Sequence, residues 1–171
     1  PVVWNDRVYV GSNDGRVYAF EASTGKLLWK FQAAPQIRRI NVYGQLMSTW
    51  PVAGGVAVKD GVVYAAAGIA HYDGTHVYAL DAVTGELKWH NGDSGKLNPE
   101  LKNGISLAGQ VRVATSPRGR EVLQFPGGNA VGLAMFDLED GKCLSAAPAS
   151  PTGVQRSVFY VDQWLNRRIK K

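Results

Sequence analysis

A segment that returns 60 residues later in the same chain constrains the fold more than any other feature. Asp14-Gly15-Arg16-Val17-Tyr18-Ala19-Phe20-Glu21-Ala22-Ser23-Thr24-Gly25-Lys26-Leu27-Leu28-Trp29 recurs as Asp73-Gly74-Thr75-His76-Val77-Tyr78-Ala79-Leu80-Asp81-Ala82-Val83-Thr84-Gly85-Glu86-Leu87-Lys88-Trp89, with one extra residue after the first glycine. A weaker third copy runs from Met135 through Asp137, Gly141 and Cys143 to Ser145, which puts a serine where the tryptophan stood. Self-similarity at such a period is the mark of a repeat architecture, in which each unit buries its apolar surface against its neighbours.

Two further strand-like runs precede each copy. They are Val2-Val3-Trp4 and Arg7 to Gly11 in the first unit, Gly55 to Val58 and Val62 to Ala66 in the second, and Gln110 to Ala114 and Glu121 to Phe125 in the third. Val and Tyr alternate in these runs, and Asn5-Asp6 and Lys59-Asp60-Gly61 supply hairpin turn chemistry between them. Each unit is therefore four short strands, a four-stranded antiparallel blade. The fold class is all-β: a partial β-propeller of three blades, spanning 1–32, 51–91 and 106–146, with the opening strand of a fourth at 154–164. Propellers need 4 to 8 blades to close, so the reading expects an arc of a longer polypeptide whose open edges pair with the rest of the wheel or with other copies.

The pattern Ala-x-Asp/Glu-Ala-x-Thr-Gly-x-x-x-Trp at 19–29 and 79–89 resembles the tryptophan-docking repeat of pyrroloquinoline quinone (PQQ)-type β-propellers. That family includes quinoprotein dehydrogenases and the propeller lipoprotein of the outer-membrane assembly machinery. The resemblance implies a bacterial periplasmic or secreted setting, although the chain itself shows no signal sequence. Gly25, Gly85 and Gly141 are read as turn glycines of the outer hairpin, and Trp29 and Trp89 as indoles packed over a turn glycine and against a neighbouring blade. Cys143, the single cysteine, reads as a small buried hydrophobe and permits no internal disulfide.

The resemblance implies that the links between blades and the turns between second and third strands share one face, and the irregular stretches of the sequence fall there. The link Gln32 to Trp50 is long for a compact domain and carries Arg38, Arg39, Tyr43 and Trp50. The turn of blade two holds His71 and Asp73, and that of blade three holds Asn129. Arg38 and Arg39 offer planar donor forks for a carboxylate, sulfate or phosphate, or else hold the link to the blade by bonding its carbonyls. The spacing of His71, Asp73 and His76 fits no compact metal motif. The +5 net charge includes two basic runs but no nucleic-acid reading motif.

Three functions follow as expectations. The first is a non-catalytic scaffold or binding module for protein partners, which requires only blades and loops. The second, implied by the resemblance, is part of a PQQ-dependent dehydrogenase holding PQQ with calcium; the adjacent-cysteine disulfide of that family has no counterpart in a chain with one cysteine. The third is a site for an anionic small molecule or glycan at the loop face.

Overall fold

The computed structural model describes residues 1–68, 75–92, 110–116, 119–126 and 133–144. Every regular element among them is a strand, and every pairing is antiparallel. β1 (Val2–Trp4), β2 (Arg7–Gly11), β3 (Arg16–Glu21) and β4 (Leu27–Gln32) form the first sheet, in sequence order. β5 (Arg39–Val42) and β6 (Gln45–Ser48) form a separate hairpin inside the long link. β7 (Val56–Lys59), β8 (Val62–Ala67), β9 (His76–Asp81) and β10 (Leu87–Asn91) repeat the first plan. β11 (Arg112–Thr115), β12 (Glu121–Pro126) and β13 (Leu133–Asp137) make the third sheet, and a bridge from Phe136 to Cys143 marks its fourth position. The proposed start of a fourth blade lies outside the described residues.

The tight turns follow from local chemistry. Asn5 and Asp6 (φ 48° and 56°), Tyr43 and Gly44 (48° and 82°), and Asp60 and Gly61 (49° and 76°) all hold the left-handed backbone at both central positions. That is the mirror-image turn whose twist matches the flanking strands.

Two apolar seams hold the blades together. In the first, Tyr9, Val17 and Ala19 of blade one meet Val63, Ala65, Tyr78 and Leu80 of blade two. In the second, Tyr64, Val77 and Ala79 of blade two meet Leu123, Phe125 and Phe136 of blade three. The two sets on blade two alternate along β8 and β9, as a pleated strand requires when both of its faces are covered. Burying each such Val, Leu or Phe contributes roughly 1.5–3 kcal/mol, so the seams hold together blades too thin to stand alone.

The indoles show how neighbouring blades are registered. Trp29 lies on Gly85 of the next blade, where a Cβ would stand 2.6 Å from Trp29 Cδ2, and its Nε1–H donates to Ala82 O at 3.1 Å. Trp89 lies on Gly141 in the same way, with a Cβ at 2.3 Å from its Cε3, and donates to Leu138 O at 2.9 Å. Each glycine also holds a positive φ, 76° and 71°. Conformation and close approach therefore both call for glycine.

Candidate functional site

The long link is a built hairpin and not an irregular loop. Its base is fixed to the β2–β3 turn of blade one: Ser48 N–H donates to Asn13 O at 2.8 Å, and the buried Ser48 Oγ accepts from Trp50 N–H at 3.1 Å. On the way to blade two, Val52 N–H donates to Ser12 O of the same blade-one turn at 2.9 Å. At the tip, Asn41 Oδ1 accepts from Gly44 N–H at 2.9 Å and stabilises the turn.

Arg38 and Trp50 come together at the base. The guanidinium sits 4.7 Å from the centroid of the buried Trp50 ring, and its Nε–H donates to Thr49 Oγ1 at 3.2 Å. Thr49 N–H in turn donates to Arg38 O at 3.0 Å, so Arg38 clasps the two ends of the hairpin. Arg39 opens β5, pairs with Ser48 and is exposed. Tyr43 is placed apart from both, at the fully exposed tip. A strand rises about 3.3 Å per residue, so the tip stands on the order of 10 Å from Arg39 along β5. His71, Asp73 and Asn129 lie outside the described residues.

Of the exposed side chains of this hairpin, Ile40, Tyr43 and Leu46 are apolar or aromatic and Arg39, Asn41 and Gln45 are polar. Ile37 (77% exposed), Leu46 (69%) and Ile40 (47%) accompany Tyr43, and both strands pair only with each other among the described residues. The register puts Arg39, Asn41 and Leu46 on one face of the hairpin and Ile40, Val42, Gln45 and Met47 on the other, with Tyr43 at the tip between them.

Two features escape a linear reading. His76, on β9, and His90, on β10, approach with Nδ1 to Nε2 at 3.1 Å, and the His90 ring stacks on Tyr78 at 4.4 Å. Tyr78 is buried, donates to Ala33 O at 2.8 Å, and has its phenol pushed up to about 12 by that burial. On the opposite rim, a cleft of about 470 Å³ opens at the second seam among Lys59, Tyr64, Trp89, Glu121 and Glu139. Burial raises the Tyr64 phenol there, with Asp60 and Glu121 adding to it. The hydrogen bond to Glu121 raises the Lys59 ammonium. Turn positions at hairpin ends signal this rim in the sequence, but the pairing of Lys59 with Glu121 across two blades does not.

Among the described residues no three His, Cys, Asp or Glu side chains gather in a way that would hold a metal ion. Cys143 is half-buried on the second seam.

A family model described as outer membrane protein assembly factor BamB matches residues 1–161. Among curated relatives, the dehydrogenase subunit of alcohol dehydrogenase (quinone) from Acetobacter aceti is 30% identical over 153 residues, covering 86% of this chain and 20% of that protein. The outer membrane protein assembly factor BamB of Burkholderia pseudomallei (strain K96243) is 27% identical over 176 residues, covering 90% of this chain and 43% of that protein. The chain thus spans a fifth of the first relative and under half of the second. Among solved structures, quinohemoprotein alcohol dehydrogenase ADHIIG from Pseudomonas putida HK5 superposes with a TM-score of 0.58 at 21% identity, over 84% of this chain and 25% of that one. That likeness shows the β-propeller fold.

Proposed function

The chain belongs to the BamB-like family of PQQ-type β-propellers, and from that premise we propose that it is a non-catalytic binding module that receives a protein partner on the β5–β6 hairpin. The observation that carries this reading is a hairpin, fixed at its base and paired with no other strand among the described residues, that exposes Ile40 on one face, Leu46 beside Arg39 on the other and Tyr43 at its tip. Exposed strand edges pair readily with an added strand, and alternate side chains then select the partner. The Arg39 charge favours a partner segment that is extended, apolar and acidic at its flank. Arg38 serves the hairpin's own structure through Trp50 and Thr49, which supports scaffolding over anion capture. The relatives' names place them in bacterial outer-membrane assembly and quinone-linked oxidation, and we assign this chain to the periplasm on that basis. No helix among the described residues is long and apolar enough to cross a membrane.

The test is a photo-crosslinking side chain at position 43 of the full polypeptide in its native cell envelope, with the exposed position 83 in the turn between β9 and β10 as control. A discrete adduct from position 43 is expected, lost on Ile40→Asp with Leu46→Asp at unchanged melting temperature. Equal yields from both positions, or an adduct indifferent to those substitutions, would overturn the reading.

The identity to the Acetobacter aceti subunit supports a second reading, that the chain is an arc of a quinoprotein dehydrogenase. Adding PQQ and Ca²⁺ to the full polypeptide and following quinone absorbance with dye-linked alcohol oxidation tests it. Neither binding nor turnover would sink it.

A further inference from the structure

The two seams carry a tyrosine at the same place and use it differently. Tyr9 pairs with Ala19 and Tyr64 with Ala79, one repeat apart, and each ring lies beside its own blade's indole. Tyr9 is fully buried, and its hydroxyl donates to Ala82 O of the next blade at 3.0 Å. Tyr64 is only 5% exposed, yet its hydroxyl has no hydrogen-bond partner among the described residues, and the residue lines the cleft of about 470 Å³ at the second seam. A buried polar group without a partner calls for an explanation, and here it borders a space that a ligand can enter.

The surroundings of the two tyrosines differ in the same sense. In the first seam Trp4 packs toward Gly61 of the next blade, where a Cβ would stand 3.7 Å from Trp4 Cη2. Trp4 and Lys59 hold equivalent places, since the pairs Trp4 with Arg7 and Lys59 with Val62 each close the first hairpin of a blade, so the second seam has an ammonium where the first has an indole. Asp60 likewise replaces Asn5, Lys88 replaces Leu28, and Glu139, two residues before its turn glycine, replaces Val83. The repeat itself requires none of these charges. Both ammoniums are matched, Lys59 with Glu121 and Lys88 with Asp81 at 3.4 Å. Asp60 and Glu139 line the cleft and form no ion pair among the described residues.

We propose that this cleft binds an ammonium or guanidinium group on an aliphatic stem, the chemistry shared by a free polyamine and by the lysine or arginine side chain of a peptide. Asp60 and Glu139 supply acceptors for charge-assisted hydrogen bonds. The Tyr64 oxygen accepts a further N–H through its lone pairs. Val62 and Leu138, also in the lining, offer apolar surface to the stem. An anion is disfavoured, because the two ammoniums that could hold it are already paired and it would face two unpaired carboxylates. The inference does not depend on the function proposed for the β5–β6 hairpin.

The experiment titrates the full polypeptide with spermidine and, separately, with a lysine peptide of blocked termini, by calorimetry and by the indole N–H signal of Trp89 and the amide signal of Glu139. Saturable shifts of both signals are expected. A response to spermidine alone assigns a free amine as the ligand, and a response to the peptide assigns a basic side chain. Asp60→Asn retains a residue that tolerates the left-handed backbone at this turn, Glu139→Gln retains the size, and each should weaken binding about tenfold. Tyr64→Phe should weaken it about fivefold and, unlike Tyr9→Phe, leave the melting temperature unchanged, because no bond within the chain is lost. Absence of a saturable response to both probes at millimolar concentration, an affinity indifferent to Asp60→Asn with Glu139→Gln, or tighter binding of glutarate would overturn the site. A Tyr64→Phe loss of melting temperature equal to that of Tyr9→Phe would overturn it as well, since the hydroxyl would then be engaged in the fold.

Discussion

The two seams between blades are built on one contact and finished differently. Both dock an indole on the next blade's turn glycine and both place a tyrosine beside it, Tyr9 at 5.8 Å from Trp29 and Tyr64 at 6.0 Å from Trp89, tilted by 45° and 44°. In the first seam the Tyr9 hydroxyl adds a second hydrogen bond to Ala82 O at 3.0 Å, and the Tyr78 hydroxyl ties to Ala33 O. In the second, Asn91 Nδ2 donates to Gly141 O at 2.7 Å, an edge-to-face pair of Phe125 and Phe136 fills the interior, and Lys59 pairs with Glu121 at the rim. The indole and its glycine set the spacing of the blades, and the surrounding polar contacts are interchangeable ways of satisfying the carbonyls left at the seam.

The largest expected effect comes from the indoles. Trp29→Ala and Trp89→Ala should each destabilise by about 3 kcal/mol, the low end for removing a large aromatic from a packed site. Phenylalanine separates the seams. Trp29→Phe leaves Ala82 O with the Tyr9 hydroxyl, whereas Trp89→Phe takes the indole donor from Leu138 O. Position 89 should therefore suffer more by about 1 kcal/mol, read from denaturant midpoints at constant slope. Equal losses would mean that the Tyr9 bond is no substitute.

Much of this frame is legible in the repeat itself, because Gly25, Gly85 and Gly141 and the two tryptophans recur at fixed spacing and strands of alternating Val and Tyr surround them. The spacing does not say whose glycine an indole meets. Trp29 is four residues from Gly25 but lies on Gly85, since β4 returns along the sheet and turns its indole toward the next blade. The hairpin in the link escapes because its two strands are four residues each and outside the repeat, although Tyr43-Gly44 is its turn signal. Grouping Arg38, Arg39, Tyr43 and Trp50 as one rim captures the Arg38 to Trp50 contact, while Tyr43 stands at the far tip. The His76 to His90 approach depends on a bulge between Leu87 and Trp89 that shifts the register of β10, and residue types alone do not reveal that shift.

A middle-sized effect should appear at alkaline pH, and mainly in the first seam. Burial raises the Tyr78 phenol to about 12, against an unfolded value near 10. The neutral form is the one the fold accommodates, so its contribution is complete below pH 10 and is lost as pH climbs from 10 to about 12. Tyr9 moves in the same direction, by burial with Asp81 adding to it and Arg7 opposing. In the second seam the Tyr64 phenol is also raised, by burial with Asp60 and Glu121 adding to it, but at the Tyr78 register the third blade has Ala134 and no matching phenol. Tyr78→Phe should cost about 1–2 kcal/mol at neutral pH by leaving Ala33 O without that donor, and should flatten the fall in melting temperature between pH 10 and 12. An unchanged alkaline slope in the variant would move the sensitivity elsewhere.

The smallest effect belongs to the ion pair that distinguishes the second seam's rim. Lys59 and Glu121 keep 29% and 53% of their side-chain surface exposed, so water screens their attraction and two long side chains must be held in place to realise it. At 1 M salt the screening length falls to about 3 Å, and any contribution should vanish. Glu121→Gln should therefore leave the melting temperature nearly unchanged at physiological salt and indistinguishable from the parent at 1 M. Trp89→Ala should lose the same stability at both, because apolar contact and a buried N–H to carbonyl bond carry no net charge to screen. A loss from Glu121→Gln that persisted in high salt would show that the rim takes part in holding blades two and three together, and the contrast between a charged rim and an apolar seam would then have to be redrawn.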